Sequence, residues 1–163
     1  MGGVIFSLYK DSSGAEHGLI VALNDLGNQT EWSNISNYIG ITAQSNWDGL
    51  SNTLAIINQP GHTASAALLT YNYSSMDNDD WYLPSMHELD KLRSNLFEVN
   101  NTIRNTVGGV EIGERIYWSS VEVSELLGVG TGNAWTYDFR SYNFNNNPTG
   151  KQGSSFTRAI SKF

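Results

Sequence analysis

Cysteine is absent from the 163-residue chain, which excludes a disulfide framework, a thiolate nucleophile and any thiolate-held zinc or iron–sulfur centre. Charge is scarce: Asp, Glu, Lys and Arg make up 15% of the residues, against about 25% in an average soluble protein. Cations are the scarcer sign, with 9 Lys plus Arg against 16 Asp plus Glu and a net charge of -7. No basic cluster offsets that balance, so a groove that tracks phosphates is excluded and no nucleic-acid partner is expected. Long hydrophobic runs are also missing; none approaches the roughly 18 apolar residues of a membrane span, so no membrane insertion is expected. The opening Met1-Gly2-Gly3-Val4-Ile5-Phe6 lacks the basic and apolar regions of a signal peptide. What the chain does have is aromatic residues (12%) and a hydrophobic fraction of 39%, enough for one well-buried domain over residues 1–163. Its polarity comes from Asn, Ser, Thr and Gly.

Val4 to Tyr9 and Leu19 to Leu23 flank a polar turn and read as an edge hairpin. From Asp25 to Trp47 the pattern is an irregular loop anchored by the rings of Trp32, Tyr38 and Trp47. Leu50, Leu54 and Ile57, then Ala64, Ala67, Leu68 and Tyr71, have helical spacing interrupted by Gln59-Pro60-Gly61. Ser85-Met86-His87-Glu88 after Pro84 is a capping box, followed by an apolar face of Leu89, Leu92, Leu96, Val99 and Ile103. That spacing predicts one helix from Ser85 to about Asn100 or Ile103. The final third turns to β pattern at Ile116–Ser119, Ala134–Phe139 and Phe156–Ile160. Strands at both ends with two to three helices between them predict an α+β fold with short antiparallel strands, the terminal strands pairing.

Several chemistries fail on spacing. His87-Glu88-Leu89-Asp90-Lys91 starts like a zinc-protease helix, but Lys91 stands where the second histidine would share the face. Asp77, Asp79 and Asp80 could ligate calcium, though Trp81 and Tyr82 occupy places where an EF-hand needs an oxygen ligand and a glycine. The other reading of this run is a solvated turn, and no other cofactor is expected. Gly128-Val129-Gly130-Thr131-Gly132-Asn133 lacks the third dinucleotide glycine and a following helix, so it reads as a loop.

Specific strings do occur together: Gly2-Gly3-Val4-Ile5-Phe6, His17-Gly18-Leu19-Ile20-Val21-Ala22, Asp80-Trp81-Tyr82-Leu83-Pro84-Ser85 with Glu88-Leu89, Tyr117-Trp118-Ser119-Ser120, Ala134-Trp135 with Phe139, and Thr157-Arg158-Ala159-Ile160-Ser161-Lys162-Phe163. In this order and over essentially the whole chain, they resemble the bacterial and phage domain family named for the C-terminal domain of the Legionella collagen-like adhesin. The resemblance implies a C-type-lectin-like fold, distantly related to formylglycine-generating enzymes. Those enzymes act through cysteine, so their activity does not carry over. The animal-lectin calcium and sugar motifs Glu-Pro-Asn and Gln-Pro-Asp are absent too. The Tyr-Trp-Ser-Ser, Ala-Trp and Asn-rich pattern is also similar to target proteins of diversity-generating retroelements, whose variable positions lie in this C-terminal part.

Within that frame Trp81, Leu83, Trp118, Trp135 and Phe139 are expected as core anchors, Pro84 as a turn, Ser85 as a cap, and Arg158 as a holder of a carboxylate or carbonyl across the terminal strands. Tyr137, Arg140, Tyr142, Asn143, Asn145, Asn146 and Asn147 are the expected ligand-binding residues, since amides donate and accept and a tyrosine stacks. The competing reading of Arg140 to Asn147 is an exposed turn, asparagine tolerating left-handed backbone. The expectation is a noncatalytic recognition module, the terminal part of a longer fibre or adhesin on a virion or bacterial cell surface, binding host polysaccharide or protein. Homo-oligomers, commonly trimers, suit such a role. Its rivals are a structural assembly protein and a glycan hydrolase using carboxylates such as Asp138 and Glu122.

Overall fold

In the computed structural model, which describes residues 2–76, 78–127, 132–140 and 146–163, the chain opens with β1 (Gly3–Lys10) and β2 (Glu16–Ala22), paired antiparallel. Alternation in β1 turns Val4 and Phe6 inward and leaves Ile5 outside. β2 is apolar on both faces because both are covered: Leu19 and Val21 join one core cluster, Ile20 and Ala22 another. The hairpin is therefore at an edge only through β1. After β3 (Gly27–Thr30) come α1 (Gly49–Ile57), α2 (Ala66–Tyr71), β4 (Trp81–Tyr82), α3 (Met86–Ser94) and α4 (Leu96–Arg104). The remaining elements are β5 (Ile116–Glu122), β6 (Asn133–Asp138), β7 (Pro148–Gly150), β8 (Ser155–Thr157) and β9 (Ile160–Lys162).

The strands form two sheets. One is ordered β1-β2-β9-β4 and is antiparallel throughout; the other is ordered β3-β8-β5-β6-β7, with β5 and β8 parallel. The architecture is α+β. The terminal strands share a sheet but do not pair, because β2 lies between them, with Ile20 opposite Ser161. The single strand expected over Phe156–Ile160 is broken into β8 and β9, which belong to different sheets. Arg158 sits at the crossing with its guanidinium buried. It donates to the carbonyls of Ala22 (3.0 Å), Leu23 (2.9 Å) and Val110 (2.8 Å) and to Asp25 (2.9 Å). A buried arginine needs this many acceptors, and all but Ala22, the last residue of β2, lie outside the strands.

The helix expected from Ser85 onward begins there, with Glu88 Oε2 accepting from the Ser85 amide (2.8 Å). It does not run through. The Asn95 side-chain amide donates to the Lys91 carbonyl (2.9 Å), while its backbone amide bonds to Leu92 instead (3.2 Å). This local competition divides the segment into α3 and α4. Leu89, Leu92, Val99 and Ile103 are nevertheless buried in one cluster with Val4, Phe6, Tyr117 and Phe139. Each such side chain contributes about 1.5–3 kcal/mol on burial. Four α-helices therefore stand among the described residues where two to three were expected.

The Asp25 to Trp47 stretch is only partly irregular, since it holds β3 and a 3-10 turn at Ile41–Ala43. Trp32 anchors it, fully buried and donating to the Ser119 carbonyl (2.8 Å). Tyr38 and Trp47 are not buried anchors; Trp47 is 69% exposed.

Candidate functional site

A groove of about 580 Å³ opens between α3 and the β5–β6 hairpin, with Asn146 at the entry to β7. Its character comes from few residue types: Gln44, Asn46 and Asn146 supply amides, Trp135 a half-buried ring, and His87 and Asp90 a titratable pair. His87 and Asp90 lie one turn apart on α3, with Nδ1 3.5 Å from Oδ2. A face of the imidazole carries the Trp47 indole, at a centroid distance of 3.7 Å and 23° between planes. The His87 backbone amide donates to the Asn46 carbonyl (3.0 Å), which fixes the loop bearing Trp47 to the start of α3.

The floor is held by a buried ion pair. Lys151 Nζ is 2.5 Å from Glu122 Oε1 and donates to the Asn37 carbonyl (2.6 Å), with both side chains fully buried. Glu122 also accepts from the amides of Ile39 (2.8 Å) and Gly40 (2.7 Å). Glu122 thus accepts three hydrogen bonds and Lys151 donates two, and such bonds are what let an ion pair survive burial.

The expected ligand-binding residues separate. Asn146 lines the groove, and its Oδ1 is buried with no hydrogen-bond partner among the described residues. Asn147 is exposed, its carbonyl accepting from the Thr136 amide (3.2 Å) and hydroxyl (2.9 Å). Arg140 is exposed but folded onto Asp138 through Nε (3.0 Å) and Nη2 (2.9 Å). Those bonds from Arg140 hold the Asp138 carboxyl below its ordinary pKa, against the smaller opposing effect of burial. Tyr137 does not reach the surface: it is buried and donates to Asp90 Oδ1 at 2.5 Å. Burial first, then Asp90, pushes its hydroxyl pKa upward. Tyr142, Asn143 and Asn145 lie outside the described residues.

Among the expected anchors, Trp81, Leu83, Pro84, Ser85, Trp118 and Phe139 are buried and Arg158 holds Asp25 together with three carbonyls. Trp135 is the exception. It is half-buried and faces the groove, one residue from the fully buried Ala134 that takes the core position in β6.

Asp79 and Asp80 are exposed beside a different cavity, and Asp77 lies outside the described residues. Among the described residues no three His, Asp or Glu are grouped to hold a metal ion. Asp138 and Glu122 do not form a catalytic pair: they stand at opposite ends of the β5–β6 ladder, each engaged by a cation.

No protein-family model matches this chain, and no curated protein matches it. The groove therefore stands on its geometry alone. Sequence reading missed Gln44, Asn46, His87 and Asp90 as a group, because they come from two segments about 40 residues apart that only folding joins. No alternation signals Glu122: β5 is buried from Tyr117 to Glu122, and its register against β6 shifts between Trp118 and Glu122.

Proposed function

We propose that the chain is a noncatalytic recognition module of C-type-lectin-like fold. It is carried at the end of a longer fibre or adhesin on a phage particle or bacterial surface, and binds host polysaccharide or surface protein. The contact surface is the α3/β6 groove, with Asn146 in its lining. One observation carries this reading: a half-buried Trp135 in one groove with the Asn146 Oδ1, which is desolvated and has no hydrogen-bond partner among the described residues. Such an oxygen is costly unless a donor arrives, and a ring with convergent amides is the composition of a site for hydroxyl-bearing ligands. The fold attribution is supported by N- and C-terminal strands in one sheet and a second sheet reached by a crossing at Arg158.

The test is binding of the purified protein to a panel of bacterial surface polysaccharides and intact host cells, with and without calcium, beside Trp135→Ala and Asn146→Ala. A saturable interaction weakened at least about tenfold in variants of unchanged circular dichroism is the expected result. Equal binding by the variants would move the site elsewhere. No binding by any form would transfer the weight to an assembly role.

A further inference from the structure

The face of α3 that lines the groove does not end at His87. Met86, His87 and Asp90 look into the groove, while Glu88 and Lys91, each one residue or about 100° further round the helix, line a separate cavity of about 430 Å³. Trp47 stands at the divide. One face of its indole rests on His87, and it also borders the second cavity.

Exposed rings and cations make up much of that cavity. Trp47 is 69% exposed, Tyr9 55% and Phe163 41%, an unusual density of apolar surface turned to solvent. The rings are held in place. Tyr9 stacks on His17 with centroids 5.4 Å apart, and Phe163 exchanges backbone hydrogen bonds with Gly18 (3.0 and 3.2 Å). A Cβ at Gly18 would come within 2.5 Å of the Phe163 ring, so the glycine is what lets this ring lie across β2.

In a chain with 9 Lys and Arg against 16 Asp and Glu, most cations are consumed by carboxylates. Lys91 is not: it is exposed and has no carboxylate partner among the described residues, and it borders the cavity with Lys162. Lys162 leans over the Tyr82 ring (5.4 Å) at 3.3 Å from Asp48. The acid bordering the cavity, Glu88, is buried and already accepts from Gly49, Ser85 and Tyr82, so its charge is stabilised from within.

We propose that this cavity binds the carboxylate-bearing sugar of an acidic polysaccharide, the pyranose ring stacking on the Trp47–Tyr9–Phe163 surface and the carboxylate meeting Lys91 and Lys162. The inference rests on the recognition reading only in taking the ligand to be a glycan; its residues are not those of the Trp135 groove. Rings that present flat apolar surface beside the exposed ammonium of Lys91 match a ligand whose C–H face and anionic group are adjacent. A neutral sugar would leave the ammonium of Lys91 unmatched. An acidic peptide would use the charge and not the rings.

The test follows the indole N–H signals of the full chain by NMR during titration with oligogalacturonate, oligoglucuronate, a neutral oligogalactose and oligoglutamate. Acidic saccharides are expected to shift the Trp47 signal and to bind at least about tenfold more tightly than the neutral one, with affinity falling as salt is added. Lys91→Gln should weaken them at least about fivefold, whereas Arg104→Gln, which removes the same charge from α4, should not. Equal affinity for the neutral sugar, equal affinity for oligoglutamate, no effect of Lys91→Gln, or no saturation of either acidic saccharide by about 10 mM would each overturn the proposal. Shifts confined to Trp135 would also overturn it while supporting the groove. Shifts at Trp47 that persist in Trp135→Ala would support the cavity whatever becomes of the groove.

Discussion

Lys151 and Glu122 are each fully buried, and neither has a second partner of opposite charge among the described residues. Removing the ammonium in Lys151→Ala strands a carboxylate on the groove floor, so a loss of about 3–5 kcal/mol in urea unfolding is expected. Replacing both residues, Lys151→Met with Glu122→Gln, should recover a large part of it, because no uncompensated charge then remains. A loss below about 1 kcal/mol for Lys151→Ala would mean that water reaches Glu122 and the floor is open. At this scale the sequence was legible wherever burial follows from residue type: Trp81, Leu83, Trp118 and Phe139 are large and apolar, and they are inside. It was not legible for Lys151, which by type belongs in water and is inside only because Glu122 and the Asn37 carbonyl meet it there.

At the scale of elements, helix faces were readable and helix ends were not. The apolar spacing of Leu89, Leu92, Val99 and Ile103 specifies a buried stripe, but the interruption at Asn95 depends on one side-chain amide competing for the Lys91 carbonyl. The short α2 is where a pH dependence is expected. Ser65 caps it by accepting from the Leu68 amide (2.8 Å), and His62 Nε2 lies 2.9 Å from the same hydroxyl. Burial lowers the His62 pKa below its ordinary 6.5, opposed in part by Glu31. The unfolded state therefore binds the proton more readily. Its contribution to stability is present above the ordinary histidine value and is lost as pH falls through the folded value. Comparing urea midpoints at about pH 7.5 and about pH 5, native protein should lose more stability than His62→Gln. An equal loss in both would show that the dependence does not come from His62.

For the whole molecule, the decisive feature is that the final residues stitch two sheets together. β9 is the strand between β2 and β4, and β8 lies between β3 and β5. Truncation after Arg158 removes β9, leaving β2 and β4 without a shared neighbour and part of two core clusters uncovered. Loss of the near-ultraviolet circular dichroism of the buried tryptophans is expected, since exposing this much apolar surface exceeds the margin of a typical domain. A truncated chain that kept this signal would show that β2 and β4 are held by the helices alone.

The sequence by itself determined composition class, the α+β character, the apolar faces of the helices, the capping box at Ser85 and most core positions. Each depends on residue type and on spacings of two, three or four, which physics acts on locally. Only the tertiary structure decided that β2 separates the terminal strands, that Phe156–Ile160 divides between two sheets, that Tyr137 turns inward to Asp90 while Trp135 turns to the groove, and that Trp47 stacks on His87. Those outcomes join segments tens to more than a hundred residues apart. They are selected by burial and by satisfaction of polar groups across the whole fold, which no local pattern encodes.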